Sequence, residues 1–170
     1  MIDQIACFAG LTMPFQDHFS VQATQYSKHR PGYPEEFFDY LASLAPGREL
    51  AWDCGTGNGQ AALALAQRFR QVVATDASSK QIENAFPHPS IRYRVEPAEN
   101  TSIEPGSVDL ITAGTAIHWF DFDSFYGEVR RVGKPGAILA VWTYHFPVIN
   151  PAVDAVLARF YWQTLNGYWP

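Results

Sequence analysis

The sequence predicts an α/β fold: a Rossmann-like, doubly wound and mostly parallel sheet with helices on both faces. The first observation is that short apolar runs alternate with helical segments, which requires βαβ crossovers. The second is the run 50–59, an apolar strand followed by a turn with three alternating glycines, which leads into a helix and a second apolar strand. Such a unit builds a nucleoside-cofactor site at the carboxyl edge of a parallel sheet.

Each element is predicted from its own local pattern. Apolar runs predict strands at 50–54, 72–75, 91–95, 108–113 and 137–143, the last one introduced by a Pro135-Gly136 turn. Helical spacing and end signals predict helices at 33–44, at 58–70, from Ser78 to before Pro87, from Asp121 or Asp123 to Gly133, and from Asn150 to about Leu165. Ser78 and Gln81 have the spacing of a capping box.

Length and composition predict a single domain with a proper core. The chain has 170 residues, 47% of them hydrophobic, and no apolar stretch is long enough for a membrane span. A net charge of −5 argues against a nucleic-acid partner. Two cysteines, Cys7 and Cys54, predict no disulfide framework and a reduced, cytoplasmic setting. The histidines lack metal-ligand spacing, so no metal site is expected. Residues 1–12 are expected to be a peripheral extension of a cofactor-binding domain at 13–170.

The glycine turn indicates which cofactor to expect. The dinucleotide fingerprint needs glycine at its sixth position, where this chain has Gln60. Asp53 precedes the first glycine by two residues; it would repel a pyrophosphate and attract the ammonium group of an amino-acid tail. Asp76, at the end of the second strand, could accept both ribose hydroxyls. S-adenosylmethionine carries both groups. Simpler alternatives remain open: Gly55 and Gly57 could serve only the turn, Asp53 could favour a helix start, and Asp76 could cap the next helix.

Five segments resemble the class I S-adenosylmethionine-dependent methyltransferases. Three of them, 53–59, Asp76 and 107–112, resemble successive motifs of that family. Two others, 26–34 and 116–121, look like the branch that includes trans-aconitate methyltransferase-like enzymes. The resemblance covers roughly residues 13–144, and it implies a methyl transfer to a small-molecule acceptor.

The resemblance also implies roles for individual residues. The expected cofactor-binding residues are Tyr26, Arg30, Asp53, Cys54, Gly55, Gly57, Asp76, Ala77, Ala98, Glu99, Gly114 and Thr115. Tyr26 and Arg30 would lie near carboxylates, Ala77, Ala98 and Glu99 near the adenine, and Gly114 and Thr115 near the thioether through backbone atoms. His118 could be a general base, or it could form a substrate-binding wall with Trp119.

Family members have seven strands, the last two forming an antiparallel hairpin, and no sequence for that hairpin is found here. The chain is therefore expected to be part of a longer protein, with a shortened relative as the alternative. Three functions follow: a small-molecule methyltransferase acting on a carboxylate or hydroxyl, a catalytically incomplete cofactor-binding module, and an NAD-dependent oxidoreductase, against which Gln60 and Asp53 argue. The identity of the acceptor and the oligomeric state are not predicted.

Overall fold

A computed structural model describes residues 33–143 and 148–168 of the chain. Within these residues a sheet of five parallel strands has the order β3-β2-β1-β4-β5. The strands are β1 (Leu50–Cys54), β2 (Gln71–Asp76), β3 (Ile91–Val95), β4 (Val108–Gly114) and β5 (Gly133–Trp142). The chain builds outward from β1 to β3 and then returns to the other side of β1. This doubly wound, parallel arrangement confirms the predicted fold class.

The helices of the described residues alternate with these strands. They are α1 (Glu35–Leu44), α2 (Gln60–Ala66), α3 (Ser79–Glu83), α4 (Phe122–Val132) and α5 (Pro151–Arg159), with a 3-10 turn at Ile117–Trp119 and a π turn at Phe160–Thr164. None of the described helices is both long and apolar enough to cross a membrane. The proposed extension 1–12 lies outside the described residues.

The sheet is buried on both faces because successive strand residues point to opposite sides. On one face, Val72 and Leu110 pack with Phe38 of α1 and Leu65 of α2. On the other face, Val73 and Ile111 belong to a second cluster with Trp52, Phe125 and Val132. The two clusters hold the strands rigid, so the loops at their carboxyl ends start from fixed positions.

Several predicted boundaries differ from the structure, and the left-handed conformation of Gly59 explains one of them. The helix predicted from residue 58 begins at Gln60, because Gly59 is left-handed at φ 88° and still belongs to the turn; it also ends at Ala66 rather than 70. The last strand begins at Gly133 rather than 137, because Gly133 already pairs with Val108. The Pro135-Gly136 pair falls inside this strand at a register shift, with Gly136 at φ 80°.

The predicted capping box on α3 is also wrong. The Ser78 side chain makes no capping hydrogen bond, and its buried hydroxyl has no partner. By contrast, Asp121 caps α4, which agrees with the first of the two predicted helix starts. Its Oδ1 accepts a hydrogen bond from Ser124 N at 2.9 Å. Asn150 caps α5 in the same way, accepting from Ala152 N and Val153 N.

Asp109, which belongs to one of the motifs noted in the sequence, lies at the amino edge of the sheet. It is 1% exposed and accepts hydrogen bonds from the backbone of Glu49 and Leu50 and from Lys134 Nζ, at 2.7–3.0 Å. A side chain on Gly47 would collide with this carboxylate. Asp109 therefore ties β1, β4 and β5 together at the end away from the glycine turn.

Candidate functional site

The candidate site is the crevice between the carboxyl ends of β1 and β4. The strand order reverses here, because β1 continues to β2 on one side while β4 lies on the other. Loops leaving adjacent strands in opposite directions open a crevice at this point, which is where doubly wound sheets bind ligands. The crevice is lined by Tyr33, Asp53, Gly55, Thr56, Gln60, Ala61 and Gly114. Of these residues, the sequence predicted Asp53, Gly55 and Gly114.

The glycine turn takes a left-handed backbone at each of its three glycines, with φ between 58° and 88° at Gly55, Gly57 and Gly59. A side chain on Gly55 would collide with Ala116 and one on Gly59 with Tyr93. At Gly57 the nearest atom to an added Cβ would be Gln81 Oε1, at 3.9 Å. Internal packing thus accounts for the outer glycines, while the middle one faces open space.

Asp53 is buried beneath this turn. It is 1% exposed, and its two oxygens accept hydrogen bonds from the hydroxyls of Thr56, at 2.5 Å, and Thr112, at 2.8 Å. Burial raises the pKa of Asp53 to about 6, although the two hydroxyls lower it, and the charge of Asp76 raises it further. The carboxylate therefore sits behind the crevice as a partly shielded negative charge.

Asp76 lies at the end of β2 and is bonded to the turn itself. Its Oδ2 accepts from Gly57 N and its Oδ1 from Ser78 N, both at 2.9 Å. The predicted capping role is therefore present in part, through the backbone of Ser78. Ala77, predicted to lie against an adenine, is exposed between these residues.

The loop after β4 forms the opposite wall of the crevice. Thr115 has φ 57°, the one positive value among the described non-glycine residues, and its N donates to Trp142 O at 2.7 Å. Strain of this kind is held in place by its surroundings and is concentrated at functional sites. Farther along, His118 and Trp119 are both exposed, with ring centroids 4.9 Å apart. The loop thus presents an imidazole and an indole to solvent.

The loop after β3 carries the remaining predicted residues. Ala98 is buried at 6% exposure, and Glu99 is partly buried. Glu99 Oε1 accepts from Asp121 N at 2.9 Å, which joins this loop to the start of α4. Cys54 is wholly buried in the core, where burial raises the pKa of its thiol. Only backbone atoms of Cys54 can therefore face a ligand.

Buried polar atoms without a partner are concentrated at this edge of the sheet. Among the described residues they are Asn58 Nδ2, Gln60 Oε1, Ser78 Oγ, Thr115 Oγ1 and Trp142 Nε1. Four of them lie on loops or strand ends at the carboxyl edge of the sheet, and Gln60 begins α2 directly after the glycine turn. Each unsatisfied group costs about 1–3 kcal/mol, so native structures normally pair such atoms. The polar character of this edge fits a ligand with several donors and acceptors.

Two predicted residues, Tyr26 and Arg30, lie outside the described residues. Five further residues of the site are not predicted from the sequence: Tyr33, Thr56, Gln60, Ala61 and Trp142. The role of Thr56 could have been predicted from the sequence, because its hydroxyl belongs to the glycine turn and lies close to Asp53. The role of Trp142 could not, because its position depends on the pairing of β5 with β4. Within the described range, no group of histidines, cysteines or acids could hold a metal ion.

The doubly wound sheet, the glycine turn and the carboxylate after β2 define a class of α/β proteins that bind a nucleoside cofactor. Residues 52–141 match the family model described as a methyltransferase domain, and the chain belongs to this family. The family members that have this fold are class I S-adenosylmethionine-dependent methyltransferases. The cofactor is therefore S-adenosylmethionine. These similarities do not distinguish the trans-aconitate methyltransferase-like branch from other branches of the family, so that assignment stays a prediction.

Similar proteins of the same kind are found in distant organisms. A candidate type II methyltransferase from Anaeromyxobacter dehalogenans is 48% identical, with a TM-score of 0.76, and the match covers 83% of this chain and 60% of that one. A candidate methyltransferase of Dictyostelium discoideum is 36% identical over 91% of this chain and 60% of its own length.

The candidate S-adenosylmethionine-dependent methyltransferase CRG1 of Saccharomyces cerevisiae is 27% identical over 84% of this chain and 53% of its own length. The chain thus spans between half and three fifths of the length of these relatives.

Proposed function

We propose that the chain binds S-adenosylmethionine in the crevice between β1 and β4 and transfers its methyl group to a small-molecule acceptor. The observation that carries this proposal is the group of buried, unpartnered polar atoms around a glycine turn, in a chain of the methyltransferase family. When bound, the cofactor supplies a methyl group already activated by a sulfonium. The protein needs no nucleophile of its own, and the alignment of the two reactants can be worth about 7–11 kcal/mol.

In this proposal, different residues around the crevice bind different parts of the cofactor. Asp76 accepts the ribose hydroxyls, and Ala77, Ala98 and Glu99 surround the adenine. The open side of Gly57 admits the methionyl part, since no side chain blocks the turn there. Asp53 supplies negative charge toward the ammonium group. Tyr26 and Arg30 are proposed to act on the carboxylate of the tail.

The acceptor side is proposed to be the loop after β4. Its exposed His118 and Trp119 would contact the acceptor, with His118 taking the proton from a hydroxyl. The described loops at this edge, residues 55–59, 77–78, 96–107 and 115–121, carry no lysine or arginine. This observation favours a hydroxyl over a carboxylate acceptor. A carboxylate acceptor would need no base and would depend on Arg30.

The acidic net charge and the acidic side chains of this edge support a small molecule, rather than a nucleic acid, as the partner. The reduced, buried Cys54 is in keeping with the cytoplasmic location expected from the sequence.

Calorimetric titration with S-adenosylhomocysteine, followed by a methyl-transfer screen over hydroxyl and carboxylate compounds, tests the proposed function. We expect binding together with transfer. Binding without transfer to any acceptor would favour the alternative, a catalytically incomplete binding module. Binding of NAD in place of the thioether would overturn the proposal.

His118→Gln tests the proposed base. We expect cofactor affinity to be unchanged and kcat for a hydroxyl acceptor to fall about 10²-fold or more. The pH profile of kcat should also lose its acidic limb, a change that a merely structural histidine would not cause. Unchanged turnover would remove the base assignment and leave cofactor binding intact.

A further inference from the structure

The position of Asp53 leaves the ammonium group of the cofactor without a readily accessible side-chain acceptor among the residues predicted to bind the tail. Both oxygens of Asp53 already accept hydroxyl hydrogen bonds, from Thr56 and Thr112. Its side chain is also 1% exposed. The carboxylate can therefore provide an electric field to the crevice, but it offers little surface to a ligand.

That field does extend around the turn. Burial raises the pKa of Tyr93 to about 12, and the charge of Asp53 raises it as well. Tyr93 lies against Gly59, since a side chain on that glycine would collide with its ring. Asp53 lines the crevice, so its negative charge would stabilise a positive group placed there.

Gln60 lines the same crevice as Asp53 and lies directly after the left-handed Gly59. Its Oε1 is buried and has no hydrogen-bond partner. An amide oxygen is an acceptor with two lone pairs, so the group that completes this part of the crevice is a donor. An ammonium offers three donors and no acceptor, and it carries the charge that Asp53 favours.

We propose that Gln60 is a cofactor-binding residue whose side-chain oxygen accepts a hydrogen bond from the ammonium group of the amino-acid tail of S-adenosylmethionine. This inference rests on the proposed function. It also gives a physical reason for the side chain at the position where a dinucleotide-binding turn has glycine. An unpaired acceptor oxygen in a crevice that a buried carboxylate also lines favours a cation, and the negative charge of Asp53 disfavours a pyrophosphate.

The test compares two thioether nucleosides by calorimetric titration: S-adenosylhomocysteine, which has the amino-acid tail, and 5′-methylthioadenosine, which lacks it. Gln60→Met removes the acceptor at similar length and should weaken S-adenosylhomocysteine about tenfold or more, because hydrogen bonds to charged groups are strong. The affinity for methylthioadenosine should not change. Gln67→Met, at the exposed end of the same helix, is the matched control and should leave both affinities as they are.

Gln60→Glu keeps an acceptor oxygen and should bind S-adenosylhomocysteine more tightly than Gln60→Met does. An unchanged affinity of Gln60→Met for S-adenosylhomocysteine would overturn the inference, and so would an equal loss for both nucleosides, which would place the contact elsewhere. If the wild-type protein bound neither nucleoside, the proposed function would fail first, and this inference with it.

Discussion

Asp76 Oδ2 accepts a hydrogen bond from Gly57 N over 2.9 Å, so the carboxylate after β2 holds the middle of the turn between β1 and α2. The other oxygen, Oδ1, accepts from Ser78 N at the same distance. A single side chain therefore connects the two loops that are proposed to hold the ribose and the methionyl part of the cofactor. Because of these hydrogen bonds, a displacement of either loop would also displace the other.

Asp76→Ala is expected to weaken the binding of S-adenosylhomocysteine by at least tenfold. The substitution would remove the proposed acceptor of the ribose hydroxyls and also release Gly57 N and Ser78 N. Calorimetric titration measures the loss. Asp123→Ala removes an exposed acid from the same edge of the sheet, at the first turn of α4, and should leave the affinity unchanged. An Asp76→Ala protein that bound as tightly as the wild type would remove the ribose assignment.

The middle glycine of the turn offers a second test, with a matched glycine elsewhere. Gly57 and Gly106 have nearly the same positive φ, 58° and 60°, and an added side chain would meet little or nothing at either position. Alanine should therefore cost both sites a similar free energy of unfolding, about 1 kcal/mol. Only Gly57→Ala should also lose affinity for S-adenosylhomocysteine, because its Cβ would occupy the open side of the turn.

Urea unfolding and calorimetry of the two variants measure both effects. Gly55→Ala is a further comparison, since its Cβ would collide with Ala116, and it should cost considerably more stability than either. Equal affinities for Gly57→Ala and Gly106→Ala would contradict the proposed path of the ligand past Gly57.

The sequence predicted elements well where the local pattern was decisive. The strand 50–54 is found at the predicted residues because an apolar run ends there at a glycine turn. It failed where a turn signal lies inside a regular element: Pro135-Gly136 is typical of a turn, yet pairing with β4 extends the strand across it to Gly133. Such pairing depends on residues about 25 positions apart and leaves no local trace.

For the candidate site, the sequence predicted which loops matter better than what each side chain does. The sequence predicts that Asp53 attracts the ammonium group of the cofactor, and the structure shows that two hydroxyls hold this carboxylate beneath the turn. Thr112, which supplies one of them, lies 59 residues farther along the chain. The collision that requires glycine at position 59 involves Tyr93, which lies 34 residues farther along the chain than Gly59. Contacts of this kind follow only from the packed sheet.

The pKa of Asp53 predicts how stability depends on pH. Burial raises this pKa from 3.8 to about 6, so the folded protein binds more protons than the unfolded chain between these values. The contribution of Asp53 to stability therefore falls as pH rises through this window and is constant above it. Asp53→Asn removes the ionisation, so it should be more stable than the wild type at pH 7.5, by on the order of 2 kcal/mol. Urea unfolding at pH 7.5 and 4.5 should show the difference shrinking in acid.

Asp109→Asn is the control of opposite sign. Burial alone would raise the pKa of Asp109, but the hydrogen bonds from Lys134 and from the backbone of Leu50 bring it below its usual value. Its ionised form therefore stabilises the fold at neutral pH, and this contribution is lost as pH falls. The variant should be less stable than the wild type at pH 7.5. A wild type more stable than Asp53→Asn at pH 7.5 would contradict the destabilising role of the buried carboxylate.

Replacing Thr115 with glycine should raise the stability of the fold and lower its affinity for the cofactor. A β-branched residue at φ 57° is strained, and its buried hydroxyl has no partner, so Thr115→Gly removes two unfavourable terms. The greater freedom of glycine in the unfolded chain offsets part of the gain, which leaves a stabilisation of about 1 kcal/mol. We expect the melting temperature to rise by about 3 °C and the affinity for S-adenosylhomocysteine to fall. Thr115→Ser keeps the hydroxyl without the branch and should retain the affinity; a destabilised Thr115→Gly protein would show that this backbone is not strained.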